Sequence, residues 1–301
     1  MRPYAREMNS AKASIAQSVQ VAAFVVLGAV GFLVWWRTLA SLFALALHDE
    51  QYTYVLLILP ISTALIALDW RAPRSSSLQS VGVGFILLMI AVIIFETTNT
   101  GSWPASSGAA LSASVFAFVL WCTGAFIACF GQLAFRRSLF PLCFLLWMVP
   151  FPPILLNAIV SLLQRGSAVS AHLFFLVAGF PVGQRDTLLY LPGLTLEVAP
   201  ECSSIRSSMM LIVTTMVVGE LLLRSIWRKT LLVAAAIPLS IAKNGLRIFV
   251  LGAIATRLDP NILDSRLHRQ GGIIFFLIAL AGIVTLLWLL RRGEGRFYDR
   301  D

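Results

Sequence analysis

Apolar residues dominate the chain in long runs that short polar segments separate. A helix crosses the roughly 30 Å hydrocarbon core of a bilayer in about 20 residues. The runs therefore predict an all-α polytopic membrane protein with about eight transmembrane helices. The predicted spans cover approximately residues 19–36, 52–68, 81–95, 110–130, 138–163, 203–223, 231–256 and 271–290.

The first run follows Arg2, Arg6 and Lys12 but is longer than a secretory signal and lacks a small-residue cleavage site. We therefore predict a retained first span rather than a cleaved signal peptide. Trp35 and Trp36 end this span and are predicted to form an interfacial aromatic belt. The whole chain, residues 1–301, is predicted to be a single membrane-embedded domain with its core at about 19–292.

The segment between the fifth and sixth spans is the least apolar part of the chain. Prolines at 150–153 predict a kink in the fifth span, which residues 154–163 then extend. Residues 164–178 are predicted to form a helix lying on the membrane. Residues 186–198 predict a short β-hairpin with Pro192-Gly193 as its turn. Together, residues 157–201 are predicted to form an extracytoplasmic segment on the substrate side.

Composition and charge agree with a membrane protein. Hydrophobic residues make up 58% of the chain and charged residues only 12%, whereas soluble domains average about 25% charged residues. The net charge of +9 comes largely from Lys and Arg in short loops, which is the positive-inside pattern rather than a nucleic-acid-binding surface. Eight spans with both termini in the cytoplasm satisfy this pattern.

Two predicted outside loops depart from the charge pattern. Loops 157–202 and 257–270 both contain Arg, which the positive-inside rule does not require outside the membrane. A cation at these positions needs another explanation, and a functional role is one. His172 and Arg185 in the first of these loops are interpreted as structural.

The four cysteines fall into two groups. Cys122, Cys129 and Cys143 lie inside apolar runs, where cysteine usually packs as a small hydrophobic residue. Their spacing predicts no disulfide framework and no metal site, and no cofactor is expected. Cys202 differs because it begins the sixth span at its outer end.

A cysteine at a helix amino terminus is a candidate nucleophile. The unpaired N–H groups and the positive end of the helix dipole favour the thiolate. Arg206 follows one turn later on the same face, and Ser203 is adjacent. The alternative is that Cys202 is an ordinary capping or packing residue.

Arg247 lies inside the seventh apolar run, in its outer half. An ionised side chain at the centre of a membrane helix costs about 2.5–3.5 kcal/mol on insertion scales, so it is a candidate functional residue. Lys243 and Asn244 lie near the same face, one turn earlier. The alternative is that Arg247 extends to the outer headgroups.

His268 lies just before the eighth span, also at the predicted outer surface. A single histidine in a loop is usually only solvated. In combination, however, a nucleophile, a cation and a proton carrier reach one side of the membrane from three consecutive spans.

Three sequence blocks resemble the exosortase/archaeosortase family of membrane transpeptidases. They are EVAPECSSIRSS at 197–208, IAKNGLRI at 241–248 and HRQGGIIFF at 268–276, and FPLCFLLWMVPFP at 140–152 is similar in style. The resemblance covers roughly residues 48–290. Family members often have Cys-Ser-Gly at the nucleophile, where this chain has Cys202-Ser203-Ser204.

The resemblance implies a membrane-embedded cysteine peptidase or transpeptidase of the cytoplasmic (inner) membrane, with its active site on the periplasmic side. It assigns Cys202 as the nucleophile, completed by Arg247 and His268; Asn244, Arg206 and Ser203 are supporting candidates. The implied partners are membrane-anchored proteins with a C-terminal sorting signal of the Pro-Glu-Pro type, often linked to exopolysaccharide production. A transporter or assembly subunit for an exported polysaccharide is the alternative.

Overall fold

The computed structural model describes residues 2–68, 78–100, 108–198, 205–257 and 272–298. The chain divides into two compact units, residues 1–153 and 154–301. Within the described ranges, eight helices are long and apolar enough to cross a membrane, which confirms the predicted all-α multi-pass class. These candidate spans are Gln17–Val34, Glu50–Leu68, Ser80–Asn99, Ala109–Arg137, Pro153–Val177, Ile205–Leu222, Ile226–Arg257 and Gly272–Gly293.

The first unit is entirely helical in its described part. Its helices are α1 (Arg2–Val34), α2 (Trp36–His48), α3 (Val55–Leu68), α4 (Leu78–Asn99), α5 (Ala109–Arg137) and α6 (Leu139–Phe144), with 3₁₀ turns at Glu50–Tyr52 and Leu145–Met148. Helices α4 and α5 approach closely because glycines face each other. A Cβ added to Gly84 would lie 2.6 Å from the backbone nitrogen of Ala128. Small residues allow this backbone approach between membrane helices.

Trp35 lies in the core of the first unit. Its side chain is 0% exposed, and its ring packs against Phe95 and Trp121 at centroid distances of 4.7 and 5.6 Å. The prediction of an interfacial position for Trp35 is therefore wrong. Trp36, the next residue, is 56% exposed, so that prediction is retained for Trp36 alone.

In its described part, the second unit combines four long helices with a small sheet. Its elements are α7 (Pro153–Val177), β1 (Gly183–Arg185), β2 (Leu188–Leu191), β3 (Leu194–Glu197), α8 (Ile205–Leu222), α9 (Ile226–Arg257) and α10 (Gly272–Tyr298). The core between α8, α9 and α10 is built of aliphatic side chains, including Leu211, Leu232 and Ile283.

One predicted boundary is wrong in this unit. Residues 154–178 do not divide at residue 164 into the end of a span and a separate helix, because α7 is continuous from Pro153 to Val177. Gln164 and Arg165 made the helix look interfacial. Gln164 donates a hydrogen bond to the Val198 carbonyl, and Arg165 forms a 3.5 Å ion pair with Asp186 in which both side chains are exposed. The extracytoplasmic location of 157–201 stays a prediction.

The predicted hairpin is present and has one more strand than expected. Strands β2 and β3 pair antiparallel, and Leu191 opposite Leu194 leaves Pro192-Gly193 as a two-residue turn. Gly193 has a φ of 74°, and proline before such a residue is typical of a type II turn. Strand β1 adds to β2 through a turn at Asp186, which has a φ of 54°. The sequence did not predict β1, because its turn lacks glycine.

The sheet packs its apolar face against α7 and α9. Leu189 and Leu191 of β2 are buried together with Ala171 and Phe175 of α7. Gly252 of α9 lies so close that an added Cβ would be 2.6 Å from Leu196. The sheet is therefore held on two helices rather than carried on a free loop.

Candidate functional site

The predicted site residues divide between described and undescribed parts of the chain. Cys202, Ser203 and His268 lie outside the described residues. Arg206 is in the first turn of α8, and Asn244 and Arg247 are in α9. The structure thus describes the helical frame of the predicted site and three of its six residues.

Helix α9 carries a polar face through an otherwise apolar span. Ser240, Lys243, Asn244 and Arg247 follow at the spacing of a single helix face. Ser240 is 1% exposed, Lys243 5% and Asn244 1%, whereas Arg247 is half-buried. Buried hydroxyl, ammonium and amide groups are energetically costly inside a membrane protein unless they have hydrogen-bond partners.

Serines on α8 bind the inner part of this polar face. Lys243 Nζ donates a hydrogen bond of 2.5 Å to Ser207 Oγ. Ser240 Oγ and Ser208 Oγ also lie 2.5 Å apart, and both side chains are buried. Since Arg247 follows Lys243 by four residues and Ser240 by seven, it lies on the α9 face that packs against α8.

Helix α7 contacts the neighbouring side of the same face. Asn244 Nδ2 donates a 2.9 Å hydrogen bond to Ser167 Oγ, which is fully buried. Next to it, a Cβ added to Gly245 would lie 2.5 Å from Ser170 Cβ and 2.9 Å from the Ala171 backbone nitrogen. Asn244 is therefore fixed between helices and has no freedom to reorient without breaking this contact.

The contacts between α8 and α9 follow one antiparallel register along the hairpin. They join Glu220 with Lys229, Gly219 with Leu232, Ser208 with Ser240 and Ser207 with Lys243. Moving one residue toward the amino end of α8 therefore corresponds to moving about one residue toward the carboxyl end of α9. This holds because both helices rise about 1.5 Å per residue.

The other helices are oriented relative to α9 by similar contacts. Helix α7 runs parallel to α9, because Gly166 faces Ile241 and Ser170 faces Gly245. Helix α10 runs antiparallel to α9, because Gly282 faces Leu239 and Arg228 Nη1 donates to the Leu290 carbonyl. The amino ends of α8 and α10 and the carboxyl ends of α7 and α9 consequently lie at the same end of the unit, which we call the sheet end.

The sheet end is also where the chain approaches Cys202. The Val198 carbonyl accepts a 2.5 Å hydrogen bond from Gln164 Nε2, and the Val198 N–H donates to the Thr187 carbonyl. Val198 and Ile205 are both buried. The segment 199–204, which contains Cys202, therefore connects two fixed points.

His172 and Arg185 were interpreted as structural, and nothing in their surroundings changes that. His172 is half-buried on α7, and its Nδ1 atom has no hydrogen-bond partner among the described residues. Arg185 is exposed on β1. Neither residue is on the α9 polar face.

Part of this arrangement was not predicted from the sequence. Lys243 was noted only as a neighbour of Arg247, and Ser167, Ser207, Ser208 and Ser240 were not singled out. Their signal is a set of polar residues at helical spacing within apolar spans, but single serines in membrane helices are too common to identify partners. Within the described residues, no three His, Cys, Asp or Glu side chains are grouped to hold a metal ion.

Comparison with known proteins adds one match. Residues 35–285 match the sequence model of the family described as transmembrane exosortase (Exosortase_EpsH). This range contains the polar face of α9, the sheet and the three predicted catalytic positions. No curated protein and no solved structure matches the chain.

Proposed function

The chain belongs to the transmembrane exosortase family, and on that premise we propose that it is a membrane-embedded cysteine transpeptidase. It cleaves C-terminal sorting signals of exported, membrane-anchored proteins at the outer face of the cytoplasmic membrane. The substrates carry a short motif of the Pro-Glu-Pro type, a transmembrane helix and a basic cluster. Both termini are cytoplasmic, as the Lys- and Arg-rich short loops indicate.

The register of α8 against α9 supports the proposal most strongly. Ser207 is level with Lys243 and Ser208 with Ser240. If the sequence spacing of these two contacts is extended beyond Ile205, position 202 corresponds to positions 246–248 of α9. We infer that Cys202 and Arg247 meet at this level, because acyl transfer needs a nucleophile beside a group that stabilises the oxyanion.

Chain connectivity supports the assignment of His268. Residues 258–271 join the carboxyl end of α9 to the amino end of α10, and both ends belong to the sheet end. His268 precedes Gly272 by four residues, so its Cα can lie at most about 14 Å from the Cα of Gly272. We infer from this connection that His268 serves the same end of the unit.

The reaction proceeds in two acyl transfers. The Cys202 thiolate attacks the scissile carbonyl carbon, and a C–S bond forms as the C–N bond breaks. His268 donates a proton to the leaving amine and later takes one from the incoming nucleophile. In that second transfer the nucleophile bonds to the carbonyl carbon as the C–S bond breaks, which releases the Cys202 thiolate. Arg247 stabilises the negative charge that develops on the carbonyl oxygen in each transition state. Asn244 positions Arg247 through its hydrogen bond to Ser167, while Arg206 and Ser203 support the start of α8.

Replacement of Cys202 tests the proposal directly. In cells that express a tagged reporter with a tripartite sorting signal, Cys202→Ala should abolish processing while the protein still inserts into the membrane. The matched control is Cys143→Ala, because Cys143 is a free and exposed thiol elsewhere in the chain. Normal processing in the Cys202→Ala strain would refute the transpeptidase and favour a polysaccharide transporter or assembly subunit.

A further inference from the structure

The edge of the sheet formed by β3 has backbone groups that point away from the sheet. In an antiparallel pair, alternate residues direct both their N–H and C=O groups at the neighbouring strand. Val198 donates to Thr187, and the register pairs Leu196 with Leu189 and Leu194 with Leu191. These three residues therefore face β2, and the residues between them, Thr195 and Glu197, direct their backbone groups outward.

No described part of the chain pairs with this edge. The strand order is β1-β2-β3, so β3 has one neighbour. Among the described residues, no backbone hydrogen bond outside the sheet involves Thr195 or Glu197, and both side chains are exposed. Unpaired groups on a strand edge bind an additional strand readily, because that pairing satisfies every backbone donor and acceptor.

The opposite edge of the sheet, formed by β1, has fewer backbone groups that could bind an additional strand. Strand β1 has three residues, and Gly183 and Arg185 face Tyr190 and Leu188 of β2. Only Gln184 directs its backbone groups outward, and its side chain already donates to the Asp186 carbonyl. An incoming strand would therefore form fewer hydrogen bonds on β1 than on β3.

The β3 edge is both rigid and close in sequence to the proposed nucleophile. Leu194 and Leu196 pack into the core that α7 and α9 share with the sheet. Gln164 fixes the end of the strand at Val198, and Cys202 follows four residues later. A peptide aligned along β3 therefore lies beside the strand that leads into the segment carrying Cys202.

We propose that the open edge of β3 binds an extended segment of the substrate polypeptide, next to its scissile bond, as a fourth strand of the sheet. The inference rests on the proposed function for the identity of the bound chain. Thr195 and Glu197 supply the backbone hydrogen bonds, and the binding mode is strand addition. Two outward-facing residues provide at most four such bonds, each worth about 0.5–1.5 kcal/mol net. This limited edge suits an enzyme that must release its product.

A proline on each edge tests the proposal. Thr195→Pro removes an outward N–H without removing a bond to β2, and proline is tolerated on edge strands. Gln184→Pro makes the same change on the opposite edge and is the matched control. With purified enzyme in lipid nanodiscs and the tagged reporter, Thr195→Pro should lower kcat/KM about fivefold to tenfold through KM. Gln184→Pro should stay within about twofold of the unsubstituted enzyme. An unchanged KM for Thr195→Pro, or equal losses in both variants, would overturn the proposal.

A second measurement does not depend on how the proline variants fold. A photo-crosslinking amino acid at position 195 should capture the reporter in full-length protein carrying Cys202→Ala, and the same group at position 184 should not. Capture from position 184 alone, or from neither position, contradicts binding at β3. Because crosslinking requires no cleavage, it separates this proposal from the transpeptidase, which fails if Cys202→Ala still processes the reporter.

Discussion

Lys243 and Ser207 form a hydrogen-bonded pair between α9 and α8, with Nζ and Oγ 2.5 Å apart. The lysine is 5% exposed, and within the described residues no carboxylate forms an ion pair with it. An ammonium that is buried among the described residues and bound there by the neutral Ser207 hydroxyl is a costly arrangement. The hydrogen bond fixes the axial position of α8 relative to α9. It therefore also fixes the position of Arg247, which is one turn further along α9, relative to α8.

The first prediction concerns the stability of this pair. Ser207→Ala removes the partner of the buried ammonium, so we expect a loss of about 1–3 kcal/mol in the free energy of unfolding. Lys243→Met removes the buried charge itself, which costs about 2.5–3.5 kcal/mol to insert. Its stability should therefore be unchanged or higher, even though processing of the reporter falls. Unfolding in mixed detergent measures both variants, and a Lys243→Met protein less stable than Ser207→Ala would contradict this account.

The second prediction concerns the contact between α7 and α9. Gly245→Ala places a methyl group 2.9 Å from the backbone nitrogen of Ala171, and a backbone atom cannot rotate away. The helices must separate, which costs about 1–3 kcal/mol and displaces Arg247 two residues later. The control is Gly82→Ala on α4, where nothing lies within 4 Å of the added Cβ. Thermal unfolding should show a lower melting temperature for Gly245→Ala only. Equal melting temperatures for Gly245→Ala and Gly82→Ala would show that α7 and α9 can move apart without a loss of stability.

Apolar run length predicted eight spans, and turn residues predicted the hairpin, because both depend on local sequence. The fifth span was placed at 138–163, whereas the structure has it at Pro153–Val177. Run length determines whether a helix can cross a bilayer, and Pro192-Gly193 has the backbone preferences of its turn. Periodicity could not predict which polar residues become partners. Gln164 resembled part of an interfacial surface, and only the structure shows that it binds the Val198 carbonyl.

The burial of Trp35 could not be predicted from the sequence either. A tryptophan at the end of an apolar run fits an interfacial belt, and only packing against Phe95 and Trp121 distinguishes the core position. For the proposed site, the sequence singled out Arg247 and Asn244 as candidates because polar residues inside a span are rare. It did not identify the serines of α7 and α8 that hold Asn244 and Lys243, since pairing between helices depends on their register.

The third prediction tests that register by disulfide formation. In a variant without Cys122, Cys129 and Cys143, Arg247→Cys should form a disulfide with Cys202 under mild oxidation. Ser240→Cys is the control, because it lies on the same face of α9 two turns deeper and is level with Ser208. Disulfides require Cα atoms about 4.4–6.8 Å apart. A gel-mobility shift or a cross-linked peptide detected by mass spectrometry reports the bond. A disulfide that forms preferentially between Cys202 and a cysteine at position 240 would show that the register of α8 against α9 does not continue to residue 202.

The fourth prediction separates a catalytic from a passive role for Arg247. If Arg247 binds the developing oxyanion, its planar guanidinium supplies several N–H donors in a fixed geometry that lysine does not reproduce. Arg247→Lys should then lose processing nearly as severely as Arg247→Ala, by about 10²–10³ in rate, which is typical for loss of an oxyanion donor. If Arg247 only extends to the headgroups, lysine should serve as well, because both side chains combine a long apolar stem with a charge.

The matched control is Arg292→Lys on α10, where the guanidinium stacks over the Trp288 ring at 3.5 Å, away from the polar face. Initial rates of reporter cleavage in nanodiscs compare the three variants, and the stability of each is measured alongside to exclude unfolding. A rate for Arg247→Lys close to that of the unsubstituted enzyme would assign Arg247 to membrane anchoring and leave the oxyanion without its proposed donor.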